Sequence, residues 1–140
     1  MGVFAAKAGI TGEQAHSLAH GATPLPGTPV RGSRTGRPIM ALPDLIGRRW
    51  TLRVLWELRA EPARFEELRG RCDEMSTSVL ATRLKELEDG DLVKLHSATG
   101  WHATKEGLSL LRLLAPLSEW SQRWSDRLAS HKRNKRRQRG

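Results

Sequence analysis

The sequence is poor in cysteine and lacks long apolar runs. Cys72 is the single cysteine among 140 residues, which excludes an intramolecular disulfide framework and fits a reducing cytoplasm. Charged residues interrupt each apolar stretch after a few positions, which excludes a membrane-spanning helix. The opening MGVFAAKAGI has too short an apolar run for a secretory signal. We therefore expect a cytoplasmic protein.

Sequence motifs of catalysis and of metal binding are also missing. There is no Gly-rich phosphate loop and no nucleophile with a base placed beside it. His16 and His20 have a spacing that suits a metal on a helix, but no third ligand lies near them, so a chance pair is favoured. The sequence predicts no enzyme, no metal site and no cofactor, and it does not identify an effector ligand.

The net charge of +9 is concentrated at the two ends of the chain. Residues 40–130 carry 14 basic and 14 acidic side chains, whereas the last ten residues carry six basic side chains and no acidic one. Charge alone therefore does not identify a binding surface on the middle segment. The basic end could follow phosphates without regard to sequence, or it could only keep the chain soluble. Its basic residues are Lys132, Arg133, Lys135, Arg136, Arg137 and Arg139.

Composition divides the chain into three segments. Residues 1–38 hold seven of the 13 glycines and four of the seven prolines, which predicts a flexible arm over residues 1–39 that buries no core. Residues 40–128 have the apolar pattern of one folded domain, and residues 129–140 are expected to be a basic disordered tail.

The middle segment shows helical periodicity three times and then the alternation of a hairpin. Asp44 can cap a first helix from Leu45 to about Arg59, and Pro62 can begin a short second helix. Ser76 can cap a third helix with leucines at helical spacing. A turn at residues 89–91 precedes two short strands within residues 92–103, and a last helix runs from Thr104 to about Leu128. This order predicts a mainly α fold with a small β-hairpin wing, that is, a winged helix-turn-helix.

The last helix carries two apolar stripes. One helix with two stripes needs two partners, namely its own domain and another chain, so the sequence predicts dimerisation through this helix. The expected interface residues are Leu110, Leu114, Leu117, Trp120 and Trp124.

The third helix presents small polar residues opposite its leucines. Small hydroxyls can approach base edges and phosphates closely, and threonine methyls can contact the thymine methyl group. The candidate DNA-contact residues on this helix are Ser76, Thr77, Ser78, Ala81, Thr82, Arg83 and Lys85. An ordinary solvated face remains the alternative, since Glu86, Glu88 and Asp89 would repel phosphate, and Arg83 is slightly more favoured as the partner of a core carboxylate. Candidate contacts to the DNA backbone from helix starts and from the wing are Arg48, Arg49, Arg64, Lys94, His96, His102 and Lys105.

These segments resemble the HxlR-type branch of the winged helix-turn-helix transcription regulators, relatives of the MarR type. The resemblance rests on LIGRRWTLRVLWEL, PARFEEL, MSTSVLATRLKELE and WHATKEG in this order. It implies a homodimer on double-stranded DNA, with the helix of residues 76–88 in the major groove, the hairpin of residues 92–103 beside the backbone, and helices 45–59 and 107–128 forming the dimer. Two recognition helices in successive grooves about 34 Å apart imply an inverted repeat.

The chain departs from the family pattern at several points. Asp91 stands where the family has a turn glycine, and we expect the turn to survive because Asp tolerates a left-handed backbone. The wing lacks the Pro-rich tip, and the cysteine that many redox-sensing members carry before the first helix is missing, which argues against a two-cysteine switch. Cys72 remains a candidate for oxidation or for an intersubunit disulfide. The alternative function is a winged-helix protein-interaction module whose basic tail binds nucleic acid nonspecifically.

Overall fold

The computed structural model describes residues 22–140, so the histidine pair at positions 16 and 20 lies outside the described residues. The elements in order are α1 (Pro38–Ile46), α2 (Thr51–Glu57), α3 (Phe65–Arg71), α4 (Thr77–Asp89), β1 (Val93–His96), β2 (Gly100–Ala103) and α5 (Lys105–Arg139). Four helices, an antiparallel hairpin and a closing helix confirm the predicted mainly α winged helix-turn-helix fold. Among the described residues, no helix is both long enough and apolar enough to cross a membrane.

One apolar core joins α2, α3, α4 and the start of the hairpin. Leu55, Leu68 and Leu80 are fully buried, as are Leu84 and Leu87. Each buried leucine contributes about 1.5–3 kcal/mol relative to its exposed state. The core therefore fixes the orientation of α4, which carries three of these five leucines.

The first predicted helix is wrong in its extent, because two helices replace it. Asp44 does not cap a helix start but lies inside α1, which ends at Ile46. Gly47 follows, and Trp50 takes a left-handed backbone with φ of 74° before α2 begins. The apolar spacing continues across this break because Trp50 packs against the core. The prediction that Pro62 begins the second helix is also wrong, since α3 begins at Phe65.

Residues 22–37 pack on the domain, contrary to the expectation that the arm to residue 39 buries nothing. Val30 is buried and forms an isolated bridge with Ser33. The Thr23 hydroxyl donates to Asp89 Oδ2 at 2.8 Å, and Arg48 Nη2 donates to the carbonyl oxygen of Ala22 at 3.0 Å. This segment therefore reaches the C-terminal end of α4.

The wing is a two-stranded hairpin to which one residue of a loop is bridged. Val93 pairs with Ala103, and His96 pairs with Gly100. Ala63, in the loop before α3, exchanges two backbone hydrogen bonds with Trp101, at 2.9 and 2.8 Å. Gly100 has φ of 92°, and a Cβ there would lie 2.6 Å from the Ala63 oxygen. The close approach of the two backbone segments therefore requires glycine at position 100. The turn before β1 places Asp91 at φ of 57°, as expected from the sequence.

The closing helix α5 is longer than predicted. Thr104 caps it by accepting a hydrogen bond from the Gly107 amide at 3.0 Å, and the helix continues through Pro116. It ends at Arg139, so the prediction of a helix end near Leu128 followed by a disordered tail is wrong. The basic residues at the end of the chain are helical.

Candidate DNA-contact surface

The face of α4 opposite its leucines is open to solvent and is built from small polar residues. Its exposed members are Ser76, Thr77, Ser78, Ala81, Thr82 and Lys85. The Ser76 and Ser78 hydroxyls lie 3.0 Å apart, and the Ser76 side chain makes no capping hydrogen bond. The Thr82 hydroxyl donates to the Ser78 carbonyl oxygen at 2.9 Å, so its methyl group and lone pairs remain for outside contacts. These residues form one surface, which we call the recognition face.

Arg83 and Arg48 are held away from this face by one buried carboxylate. Arg83 Nη1 donates to both Glu86 oxygens, at 2.8 and 2.9 Å, and Arg48 Nη1 lies 3.1 Å from Glu86 Oε1. The Glu86 side chain is only 7% exposed, and those of Arg83 and Arg48 are 18% and 22% exposed. The structure thus favours the structural pair for Arg83, and Arg48 is committed to Glu86 and Ala22 rather than to an outside phosphate.

The acidic residues near the recognition face are largely neutralised. Glu86 is enclosed by its two arginines, and Asp89 accepts from Thr23 and lies 3.5 Å from Lys85 Nζ. Within residues 22–140, Glu88 has no ion pair and is exposed. The repulsion of phosphate expected from three carboxylates therefore reduces chiefly to one, in the last turn of α4.

The wing and its surroundings place several basic side chains at the hairpin. Lys94 and His96 are exposed on β1, Lys105 is exposed at the start of α5, and His102 on β2 is half-buried. Arg64 Nη2 donates to the Ala98 carbonyl oxygen at 2.9 Å and thereby fixes the wing tip. The His96 and His102 rings lie 6.3 Å apart, edge to face.

The remaining helix-start candidate, Arg49, is exposed in the break between α1 and α2. The structure thus leaves Lys94, His96, Lys105 and Arg49 accessible, whereas Arg48 and Arg64 have partners within the chain.

A second surface lies on α5 and is apolar. Leu110 packs against the core and Leu114 is half-buried, whereas Leu117, Trp120 and Trp124 are 55%, 53% and 52% exposed. The two indole rings stack with centroids 5.6 Å apart and line a shallow groove with Arg123 and Arg127. Leu113 and Leu128 extend this exposed apolar seam.

Comparison with known proteins identifies the family. A model of the HxlR-like helix-turn-helix family matches residues 45–129, from the end of α1 through most of α5. The chain belongs to the HxlR-like helix-turn-helix family. The resemblance inferred from the sequence motifs is therefore confirmed, and the recognition face lies on the helix-turn-helix unit of this family.

Relatives of this HxlR-like chain are named as transcription regulators. The uncharacterized HTH-type transcriptional regulator YvaP of Bacillus subtilis is 29% identical over 89 residues, which cover 59% of this chain and 82% of YvaP. The uncharacterized HTH-type transcriptional regulator MJ0925 of Methanocaldococcus jannaschii is 25% identical over 91 residues, covering 62% of this chain and 85% of the relative. The protein is thus a helix-turn-helix transcription regulator by family, and its relatives are regulators rather than enzymes.

Solved structures agree with this family assignment. Quinone-bound YodB from B. subtilis is similar with a TM-score of 0.57 at 27% identity, covering 61% of this chain and 94% of YodB. A transcriptional regulator of the MarR family from Enterococcus faecalis V583 has a TM-score of 0.58 at 28% identity, covering 65% of this chain and 88% of that one. Both likenesses support the winged helix-turn-helix assignment for this HxlR-like chain.

Cys72 has the environment of a core residue. Its side chain is fully buried after α3, and burial raises the pKa of the thiol above its ordinary value, although nearby Arg53 acts in the opposite direction. A thiolate is the reactive form of cysteine, so a buried thiol of raised pKa is poorly suited to oxidation or to a disulfide between subunits. Among residues 22–140, no cluster of His, Cys, Asp or Glu could hold a metal.

Sequence reasoning missed two features that support the site. Glu86 is among the acids that the sequence predicts to repel phosphate, yet Glu86 lies between Leu84 and Leu87 on the buried side of α4, a position that predicts a paired carboxylate. The pairing of Ala63 with Trp101 also went unpredicted, because a bridge of one residue leaves no periodic pattern.

Proposed function

We propose that this protein is a homodimeric transcription regulator that binds double-stranded DNA sequence-specifically at an inverted repeat. The observation that carries the proposal is the recognition face of α4, which is open, nearly free of exposed carboxylate and rigidly supported by buried leucines. Each copy places this face in a major groove, and successive grooves lie about 34 Å apart.

The chemistry of the recognition face determines how it discriminates between sequences. The hydroxyls of Thr77, Ser78 and Thr82 can bond phosphates or base edges, and threonine methyls can contact thymine. Lys85 is exposed, and its Nζ lies 3.5 Å from Asp89 Oδ1. Because such an exposed ion pair is weak, Lys85 can leave it to contact a phosphate or a guanine. Because the face has few long bidentate side chains, part of the discrimination comes from DNA shape and deformability.

The wing supports the orientation of the recognition face. Lys94 and Lys105 stand beside the hairpin and can bond the backbone next to the groove that α4 enters, and His96 adds a third donor near the wing tip. Such contacts fix register on the duplex without reading sequence.

The dimer uses the apolar seam of α5. Leu117, Trp120 and Trp124 together would leave a large apolar area in water on a single copy, and exposed patches of this kind mark interaction sites. A second copy covers the seam with an identical one, which is the simplest closed arrangement for a homo-oligomer.

The recognition face is tested by charge reversal. Thr82→Asp with Lys85→Glu should abolish preference for cognate duplex, because both substitutions place carboxylate against phosphate, while the dimer persists. Arg112→Glu is the control for Lys85→Glu, since it makes the same change of charge on an exposed position of α5. Fluorescence anisotropy measures the binding. If both variants lose the same affinity for duplex, only net charge matters. If the wild-type protein is dimeric but binds no duplex, a protein-interaction module is favoured.

The dimer is tested at the stacked indoles. Trp120→Ala with Trp124→Ala should shift the protein to monomer in sedimentation velocity, because truncation removes the centre of the seam. Leu95→Ala is the control, since Leu95 is an exposed apolar residue on β1 of the wing and lies outside both helices expected to form the dimer. A dimer that survives the double variant contradicts this interface.

A further inference from the structure

We propose that the C-terminal end of α5 is a second DNA-binding surface, which holds a duplex segment separate from the one at α4. The separateness of the two duplexes rests on the proposed function of α4, whereas DNA binding by this end does not. We call residues 131–139 the basic arm. Its six cations are those of the last ten residues, and all of them are exposed.

The cations of the basic arm have no carboxylate partner in the described part of the chain. The last acidic residue is Asp126, which accepts a hydrogen bond from Gln122 at 3.0 Å. Arg133 bonds only the Ser130 hydroxyl, at 3.2 Å. The arm therefore presents uncompensated positive charge to solvent.

These charges are not explained by helix stability. Cations favour a helix C-terminus, but this effect is confined to the last turn, where Arg136, Arg137 and Arg139 lie. Lys132 and Arg136 are four residues apart, as are Arg133 and Arg137, and like charges at this spacing destabilise a helix. A polyanion would remove this repulsion, so binding and helix formation would support each other.

The composition of the arm selects the class of partner. From Ser130 to Gly140 there is no aliphatic or aromatic side chain apart from the ring of His131. An amphipathic helix that enters a membrane surface or a protein groove needs an apolar face, which the arm lacks. Arginine forks match phosphate oxygens, and a phosphate backbone presents these oxygens in series.

The position of the arm separates it from the recognition face. Leu111 is the last buried residue of α5, Leu114 is half-buried, and every later residue is exposed. From Leu114 to Arg139 the helix advances about 38 Å at 1.5 Å per residue. The arm therefore stands on a rod well beyond the domain that carries α4, and we infer that its duplex is a different segment.

The experiment uses the full chain and two labelled duplexes. The first is the duplex selected from random sequence by the wild-type protein, attached to beads, and the second is a free random-sequence duplex of similar length. An arm variant replaces all six cations with Gln, and the Thr82→Asp, Lys85→Glu variant serves as the control with an intact arm. Circular dichroism and sedimentation establish that the arm variant stays folded and keeps its oligomeric state.

The proposal predicts that beads carrying the first duplex and wild-type protein capture the second one, and that the arm variant loses this capture while it keeps the first duplex. With six phosphate contacts, binding of the second duplex should weaken about 10³-fold between 50 and 200 mM salt. The recognition-face variant should still bind random duplex through its arm, so failure of the α4 proposal leaves this arm test intact.

Three results would overturn the proposal. In the first, the arm variant still binds random duplex. In the second, the arm variant loses affinity for the first duplex, and the wild-type protein captures no second duplex. In the third, the wild-type protein captures single-stranded RNA in place of duplex.

Discussion

Replacing Glu86 with Gln should destabilise the fold far more than the same change two residues away. Glu86 accepts hydrogen bonds from Arg83 at 2.8 and 2.9 Å and forms an ion pair with Arg48 at 3.1 Å, so the neutral amide leaves two guanidinium groups facing each other with one acceptor. Removing one partner of a fully buried pair costs about 3–5 kcal/mol. Since both arginines keep some solvent contact and the amide oxygen still accepts one hydrogen bond, we expect about 2–3 kcal/mol here.

The measurement is urea unfolding at one protein concentration, because the proposed dimer would make stability depend on concentration. Glu88→Gln is the control, since Glu88 is exposed on the same helix and its change should stay within about 0.5 kcal/mol. A double-mutant cycle with Arg48→Ala and Glu86→Ala should give a coupling energy of at least about 1 kcal/mol. If Glu86→Gln and Glu88→Gln have equal effects, or if the cycle shows no coupling, the carboxylate does not organise α4 as argued.

Further predictions concern the wing and the buried thiol. Gly100→Ala should destabilise the fold by about 2 kcal/mol or more in urea unfolding, because the added Cβ requires a strained left-handed backbone and clashes with the Ala63 carbonyl. Gly70→Ala is the control and should stabilise the fold by about 0.5–1 kcal/mol, because a Cβ has room there. Equal effects would contradict the close crossing at the wing. Cys72 should react with iodoacetamide at least tenfold more slowly in the native protein than in urea at pH 8, and native reaction at the denatured rate would show an open thiol. Because burial raises the thiol pKa, its contribution to stability should be complete below the unfolded pKa and decline as pH rises through the folded one, a decline that Cys72→Ala should lack.

The parts of the fold with a repeating pattern could be predicted from sequence. Leu80, Leu84 and Leu87 recur at helical spacing and mark α4 to within one residue at each end, and the Asp89–Asp91 turn marks the hairpin. The spacing of apolar residues indicates which face of a helix or strand is buried, so it identifies the elements that bury a single face.

The features missed by sequence reasoning depend on contacts that periodicity does not describe. The break before α2 interrupts no apolar pattern, because Trp50 itself packs on the core in a left-handed conformation. Residues 129–140 were expected to be a basic disordered tail, yet the helix that Thr104 caps continues through them to Arg139. The network of Arg48 and Glu86 joins residues 38 positions apart, and no local rule gives such a pair.

Sequence-specific binding of duplex DNA by α4 is the central claim, and it is tested most directly by anisotropy across a salt series. The full chain and the arm variant are each titrated onto the duplex selected from random sequence and onto a shuffled duplex of the same composition. We expect both proteins to prefer the selected duplex at least 10³-fold, with a ratio that persists as salt rises. If the arm variant binds neither duplex, or binds both equally at every salt concentration, the recognition face does not read DNA sequence.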